Sequence, residues 1–120
     1  MAWVRYGALL MCAGIILGAF GGHALRQTLS ADAQRTYQIA VFYHLIHGLA
    51  LLAVGWLAML KPGEPLLRSA GWAFVVGIVL FSGSLYALSL SGVKKWGAIT
   101  PLGGLAFLVG WLLLALAARR

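Results

Sequence analysis

The chain has 120 residues, of which 62% are hydrophobic and only 9% charged. A soluble domain carries about 25% charged residues, and a short chain exposes too much of itself to hide this much apolar surface, so a water-soluble globule is excluded and lipid must be the main solvent. The net charge of +7 comes from nine Lys/Arg against two acids, but the cations do not form a basic patch of the kind that binds nucleic acid.

The cations sit at the ends of apolar runs instead: Arg5, Arg26, Arg35, Lys61, Arg68, Lys94, Lys95, Arg119 and Arg120. That is the placement of interfacial anchors, whose stems lie along hydrocarbon while their charges reach the headgroups. The expected partner is the lipid bilayer, with no nucleic acid.

Four uncharged apolar runs follow one another, Tyr6 to Gly22, Tyr37 to Leu60, Ser69 to Ser91 and Ala98 to Ala118. Each is long enough to cross ~30 Å of hydrocarbon as a helix, and helix is forced because no water is there to pair the backbone. The predicted helices cover 6–22, 31–60, 69–91 and 98–118 in one transmembrane domain. The fold class is all-α: an integral membrane four-helix bundle made of two hairpins.

The first run follows Arg5 in the manner of a signal peptide, but it is long for such a core and is expected to remain as a span. Gly14, Gly18 and Gly22 recur every four residues along it and let a neighbouring backbone approach. Cys12 has no partner for an internal disulfide and reads as a small buried hydrophobe. The first connection, Arg26 to Thr36, is polar. Ser30 is placed to cap a second helix beginning at Ala31, with Asp32 in its first turn. At 1.5 Å per residue that helix is about 45 Å long and protrudes from the bilayer.

Lys61-Pro62-Gly63-Glu64-Pro65 is a turn by its Pro and Gly content, and Gly92 to Gly97 is another, with Trp96 at interfacial depth. In the fourth run, Gly103, Gly104 and Gly110 form a second small-residue surface. The ordinary reading of both surfaces is packing within the bundle; the sharper one is homo-oligomer contact.

A weak internal repeat also runs through the chain. Gly14-Ile-Ile-Leu17 and Ala24-Leu25 match Gly77-Ile-Val-Leu80 and Ala87-Leu88 at one offset, 63. Gly48 to Leu52 matches Gly104 to Leu108, and Gly55-Trp-Leu57 matches Gly110-Trp-Leu112, after a slip. This would be a parallel duplication of one hairpin.

Four spans put both termini on one side. The Lys/Arg count is five on that side against four on the other, so the positive-inside rule barely discriminates. The terminal Arg pair and the amino terminus favour both termini in the cytoplasm, and a bias this small leaves dual topology open.

Polar side chains within the spans are the candidates for function. His23, Tyr43, His44, His47, Ser82, Ser84, Tyr86 and Thr100 are expected in one half of the bundle. His44 and His47 share a helix face, and with His23 they would make a three-imidazole site for zinc or copper. The plainer reading is that each histidine bonds a carbonyl, Ser or Tyr of a neighbouring helix; haem ligation and proton handling are the remaining alternatives. No acid–His relay accompanies any Ser, and no Gly-rich loop follows a strand. Neither a hydrolase triad nor nucleotide binding is supported.

These same residues carry a resemblance. Gly18-Ala-Phe-Gly-Gly-His23, Tyr43-His-Leu-Ile-His47, Leu80-Phe-Ser-Gly-Ser-Leu-Tyr86 and Thr100-Pro-Leu-Gly-Gly104 with Phe107 and Gly110-Trp111 resemble the domain-of-unknown-function 423 family. These are small bacterial inner-membrane proteins related to the transmembrane protein 256 group. The chain departs from the family pattern at Gly22, where Ala is usual, and at His44, where Gln is common. The resemblance implies a four-helix membrane fold and no established activity.

The expectation is therefore a non-enzymatic inner-membrane protein, acting as a homo-oligomer or as a subunit of a membrane complex. A small transporter or channel is the first alternative, although the first helix lacks the carboxylate that small multidrug carriers use. A metal, haem or quinone site in the polar half is the second.

Overall fold

The computed structural model describes residues 1–119 and consists of four long helices. Helix α1 spans Ala2–His23 and α2 spans Ala31–Leu60. Helix α3 covers Pro65–Ser91, with one π turn at Ile78–Ser82 inside it. A 3-10 turn at Lys94–Ala98 leads into α4, Thr100–Arg119. All four are long and apolar enough to cross a membrane.

The helix boundaries have local causes. The Ser30 side chain accepts the Ala33 N–H at 3.1 Å, which caps α2 as its sequence suggests. Helix α3 begins at Pro65, earlier than the expected Ser69, because Glu64 accepts the Leu66 N–H and Pro65 occupies the first turn, where its missing N–H does no harm. Helix α1 likewise starts at Ala2, taking Arg5 into its first turns. Gly63 and Gly92 adopt φ values of +79° and +72°, the left-handed conformation that a side chain disfavours, and they make the α2–α3 turn and the end of α3.

The bundle is flattened, with principal extents of 48 × 26 × 16 Å. Helices α1 and α2 form one hairpin and α3 and α4 the other; α2 then packs along α3. Only 11% of the α1 span and 17% of the α4 span is buried, against 44% for α2 and 33% for α3. The outer helices therefore flank a central α2–α3 pair. The apolar core lies at that seam and includes Leu51, Val54, Leu67, Phe74, Ile78 and Phe107. At one end Trp3 of α1 meets Trp72 of α3 edge to face at 5.3 Å.

Glycines set the spacing within each hairpin. Gly7, Gly14, Gly18 and Gly21 face α2, where an added Cβ would crowd Gly48, Leu45, Val41 and Tyr37. Gly22, expected on this face, has open space around its Cβ direction, and Gly21 takes its place as the seat of the Tyr37 ring. On α4, Gly103 abuts the backbone of Phe81 and Gly110 the Phe74 ring, with Gly104 in looser contact with Phe81. Cys12 is exposed instead of buried, because it lies on the side of α1 turned away from its glycine face.

The internal repeat is more regular in the contacts than in the residues. Met11 meets Gly48, and Phe74 meets Trp111. Gly14 lies against His44, and Gly77 against Phe107. Gly18 packs on Val41, and Phe81 on Gly104; Gly21 packs on Tyr37, and Ser84 bonds Thr100. One offset of 63 relates both members of every pair. It also carries the start of α1 at Ala2 to Pro65 and the start of α2 at Ala31 to Lys94. The slipped match of Gly48 with Gly104 is thus replaced by Gly48 with Trp111. An alphabet of Gly, Ala and Leu produces matches by chance, whereas packing register does not slide.

Substitution at two glycines tests this packing. Gly103→Ala drives a methyl into the Phe81 backbone and is expected to lower stability in a detergent or thermal unfolding assay by about 1–3 kcal/mol. Gly22→Ala meets nothing and should stay within ~0.5 kcal/mol of the parent. Equal tolerance at both positions would contradict the α3–α4 register.

Candidate functional site

The interior polar groups form bridges between helices, and the chemistry of each partner assigns the protons. The Nε2 of His44 lies 2.8 Å from the Leu10 carbonyl of α1, which only accepts, so Nε2 carries the hydrogen. Its Nδ1 then presents a lone pair to the Tyr86 hydroxyl of α3, 2.8 Å away. Gly14 makes the approach to α1 feasible, since its missing side chain leaves room for Leu45, with the imidazole edge beside it.

His47 has the opposite tautomer. Its Nδ1 donates to the Tyr43 carbonyl one turn back at 2.8 Å, and its Nε2 accepts the Trp111 indole N–H of α4 at 3.0 Å. An indole nitrogen only donates, so His47 is neutral here. Its ring also stacks on Phe107, with centroids 3.6 Å apart and planes within 8°. Two histidines one turn apart on α2 thereby reach all three other helices. Both are buried, and both have both ring nitrogens engaged.

The hydroxyls behave in two ways. Ser84, Ser89 and Ser91 bond carbonyls of their own helix, as membrane serines commonly do. Because the Ser84 proton goes to Phe81 O, the 2.6 Å contact with Thr100 has Thr100 Oγ1 as donor. Ser82 differs: its fully buried Oγ donates to the Ala40 carbonyl of α2 at 2.8 Å. It lies in the π turn, where the widened backbone shifts its neighbours around the axis. The Tyr43 ring packs on Phe81, Phe107 and His47.

The structure therefore brings Tyr43, His44, His47, Ser82 and Tyr86 to the α2–α3 seam, with Ser84 and Thr100 joining α3 to α4. It does not bring His23. That residue is exposed at the end of α1, about 13 Å of helix rise beyond Gly14, the level of His44. The three imidazoles are not gathered, and among the described residues no group of three or more His, Cys, Asp or Glu is placed to hold a metal ion.

Two participants escaped sequence reasoning. Trp111 is the partner of His47, and Tyr37 donates to the Leu17 carbonyl of α1 while its ring fills the Gly21 notch. An indole or phenol within a span needs a hydrogen-bond partner, and that was the available signal.

Truncation separates the two roles of His44. His44→Ala leaves the Tyr86 hydroxyl without its acceptor and is expected to cost about 1–3 kcal/mol of bundle stability. His44→Gln keeps one donor and one acceptor and should recover most of that loss. In a double-mutant cycle with Tyr86→Phe, a coupling indistinguishable from zero would contradict the bridge.

Comparison with known proteins gives a consistent relationship. The family model described as protein of unknown function (DUF423) matches residues 17–104. The UPF0382 membrane protein YwdK of Bacillus subtilis is 42% identical over 116 residues, covering 97% of this chain and 94% of that protein. A UPF0382 membrane protein of Staphylococcus saprophyticus is 43% identical over 114 residues, 95% and 93% of the two chains. The UPF0382 inner membrane protein YgdD of Escherichia coli is 39% identical over 106 residues, 88% and 80% of the two chains. No solved structure matches the chain. With four membrane-spanning helices and a family match over most of its length, this chain belongs to the DUF423 family of membrane proteins.

Proposed function

We propose that this protein is a non-enzymatic component of the bacterial inner membrane that works by association, with copies of itself or as an accessory subunit on a larger membrane complex. The observation that supports this reading is the use of the polar interior. His44 engages both ring nitrogens with neighbouring helices, His47 gives one to the Tyr43 carbonyl of its own helix and the other to Trp111 of α4, and the Ser82, Ser84 and Thr100 hydroxyls are also engaged. Groups held so are fasteners of helices, since a nucleophile, proton carrier or metal ligand needs a lone pair or proton to offer.

The inner-membrane placement follows the name of the Escherichia coli relative. What such a chain offers to others is its apolar outer surface, with α1 the least buried of the four spans. Interactions between helices in lipid rest on close van der Waals packing and interhelical hydrogen bonds, both of which four short-looped helices supply.

Affinity purification in a mild detergent tests the reading. A tagged copy is expected to recover an untagged copy, or a stable membrane partner, at a fixed ratio. A strictly monomeric particle without a partner would refute it.

A further inference from the structure

The two hairpins are copies in contact register, yet their surroundings differ. In α3 the face formed by Gly71, Val75, Ile78, Ser82 and Tyr86 is turned into the molecule. Gly71 receives the Trp3 ring, Ser82 bonds Ala40 O, and Tyr86 bonds His44. Val75 lines a cavity with Leu9 and Leu10 of α1. An offset of 63 carries this face back to Ala8, Cys12, Ile15, Ala19 and His23 of α1. Those five residues lie along one side of the helix, and all five are exposed. The contrast is sharpest at the isoleucine that both repeats share: Ile78 is 4% exposed and Ile15 is 61% exposed.

The receiving side is open in part: Gly103 and Phe107, the counterparts of Ala40 and His44, are already buried within the chain, and the opening lies beside them. Hairpin α1–α2 accepts α3 beside Leu9, Leu10 and Tyr43. The same offset takes these to Trp72, Ala73 and Ala106, which line a groove of 340 Å³ between α3 and α4. Both repeats therefore carry a docking face and a receiving face, and one chain uses a single pair. A closed two-fold relation would demand an α4–α1 seam matching the α2–α3 seam. Among the described residues α2 packs along α3 and no comparable α4–α1 seam exists. The step from one hairpin to the next is left unfinished at both edges.

We propose that a second copy of this chain completes it: the α1 face of Ala8, Cys12, Ile15, Ala19 and His23 docks in the α3–α4 groove of a neighbouring copy, as α3 docks on α1–α2 within one chain. Copies then add head to tail, which gives a ring if the rotation closes and a row if it does not. The occupant is the chain itself because the groove and the face are two halves of an interface the molecule already builds once. The small side chains at 8, 12 and 19 permit the backbone approach that lipid-embedded helices need. This inference deepens the proposed association and rests on it.

Cross-linking in native membranes tests the geometry, because Cys12 is the chain's one cysteine. Within the chain Val75 and Leu10 line one cavity, so Cys12 of one copy should face Ala73 of the next. Ala73→Cys with Cys12 retained, oxidised with copper–phenanthroline, is expected to give a reducible ladder of dimers, trimers and higher species. The ladder should vanish when Cys12→Ser is added, and it should be absent for Leu49→Cys, an exposed position on α2 outside both faces. Ala73→Cys is a small change at a half-buried site, and recovery of tagged with untagged copies confirms that each variant still assembles. Cross-linking by Cys12 alone into dimers that grow no further would show a symmetric α1 contact and overturn the proposal. Absence of the ladder while copies still co-purify would overturn it too and leave association by another face standing; a partnerless monomer would remove both.

Discussion

An imidazole in hydrocarbon cannot leave a ring nitrogen unpaired, and the placement of two of them on α2 organises the remaining helices. His44 draws in a carbonyl of α1 and a hydroxyl of α3. His47, one turn further, takes the indole of α4 and stacks on its Phe107. In lipid the apolar surfaces alone choose no unique arrangement, because hydrocarbon tails solvate leucine as well as another helix does. Directional bonds from one central helix are what distinguish this packing from rotated or shifted alternatives. Each such bond is modest, averaging roughly 0.6 kcal/mol in membrane proteins. Three converging on adjacent turns of one helix therefore contribute more to specificity than to bulk stability.

Glycine makes those bonds reachable. Gly14 admits the Leu45 side chain next to His44 and so lets α2 come close enough for the Leu10 carbonyl, and Tyr37 reaches the Leu17 carbonyl only over Gly21. Close approach and directional bonding thus belong to one design, in which small residues on α1 serve polar residues on α2. The second hairpin keeps the register but changes the chemistry, with Phe107 in the place of His44 and Gly110 in that of His47. The first repeat carries the polar fasteners and the second supplies the aromatic surface they press against. That division explains why the repeat is faint in the residues and clear in the contacts.

Much of the fold was legible in the sequence because the bilayer leaves few choices. Four uncharged runs of spanning length, the Ser30 cap and the Lys61–Pro65 turn each have one physical solution, and the structure adopts it. Partner identity was not legible. Whether His47 meets Trp111 or Thr100 depends on the rotation of α4 about its axis, and composition says nothing about that angle. The place of His23 near a helix end suggests that it joins the other histidines, but the loop and the Gly14–His44 register set it more than two turns away. The glycine period of four pointed to Gly22, whereas the seam follows Gly7, Gly14 and Gly21, the spacing of seven that holds one face against a crossing partner.

The opposed tautomers of His44 and His47 are the most direct consequence of the central bridges. Solid-state ¹⁵N NMR of histidine-labelled protein in bilayers, with His44→Gln and His47→Gln for assignment, reads them directly. The expected spectrum shows two neutral interior imidazoles, His44 protonated at Nε2 and His47 at Nδ1. A shared tautomer, an imidazolium signal or a metal-shifted nitrogen from either residue would contradict the arrangement on which the bundle depends.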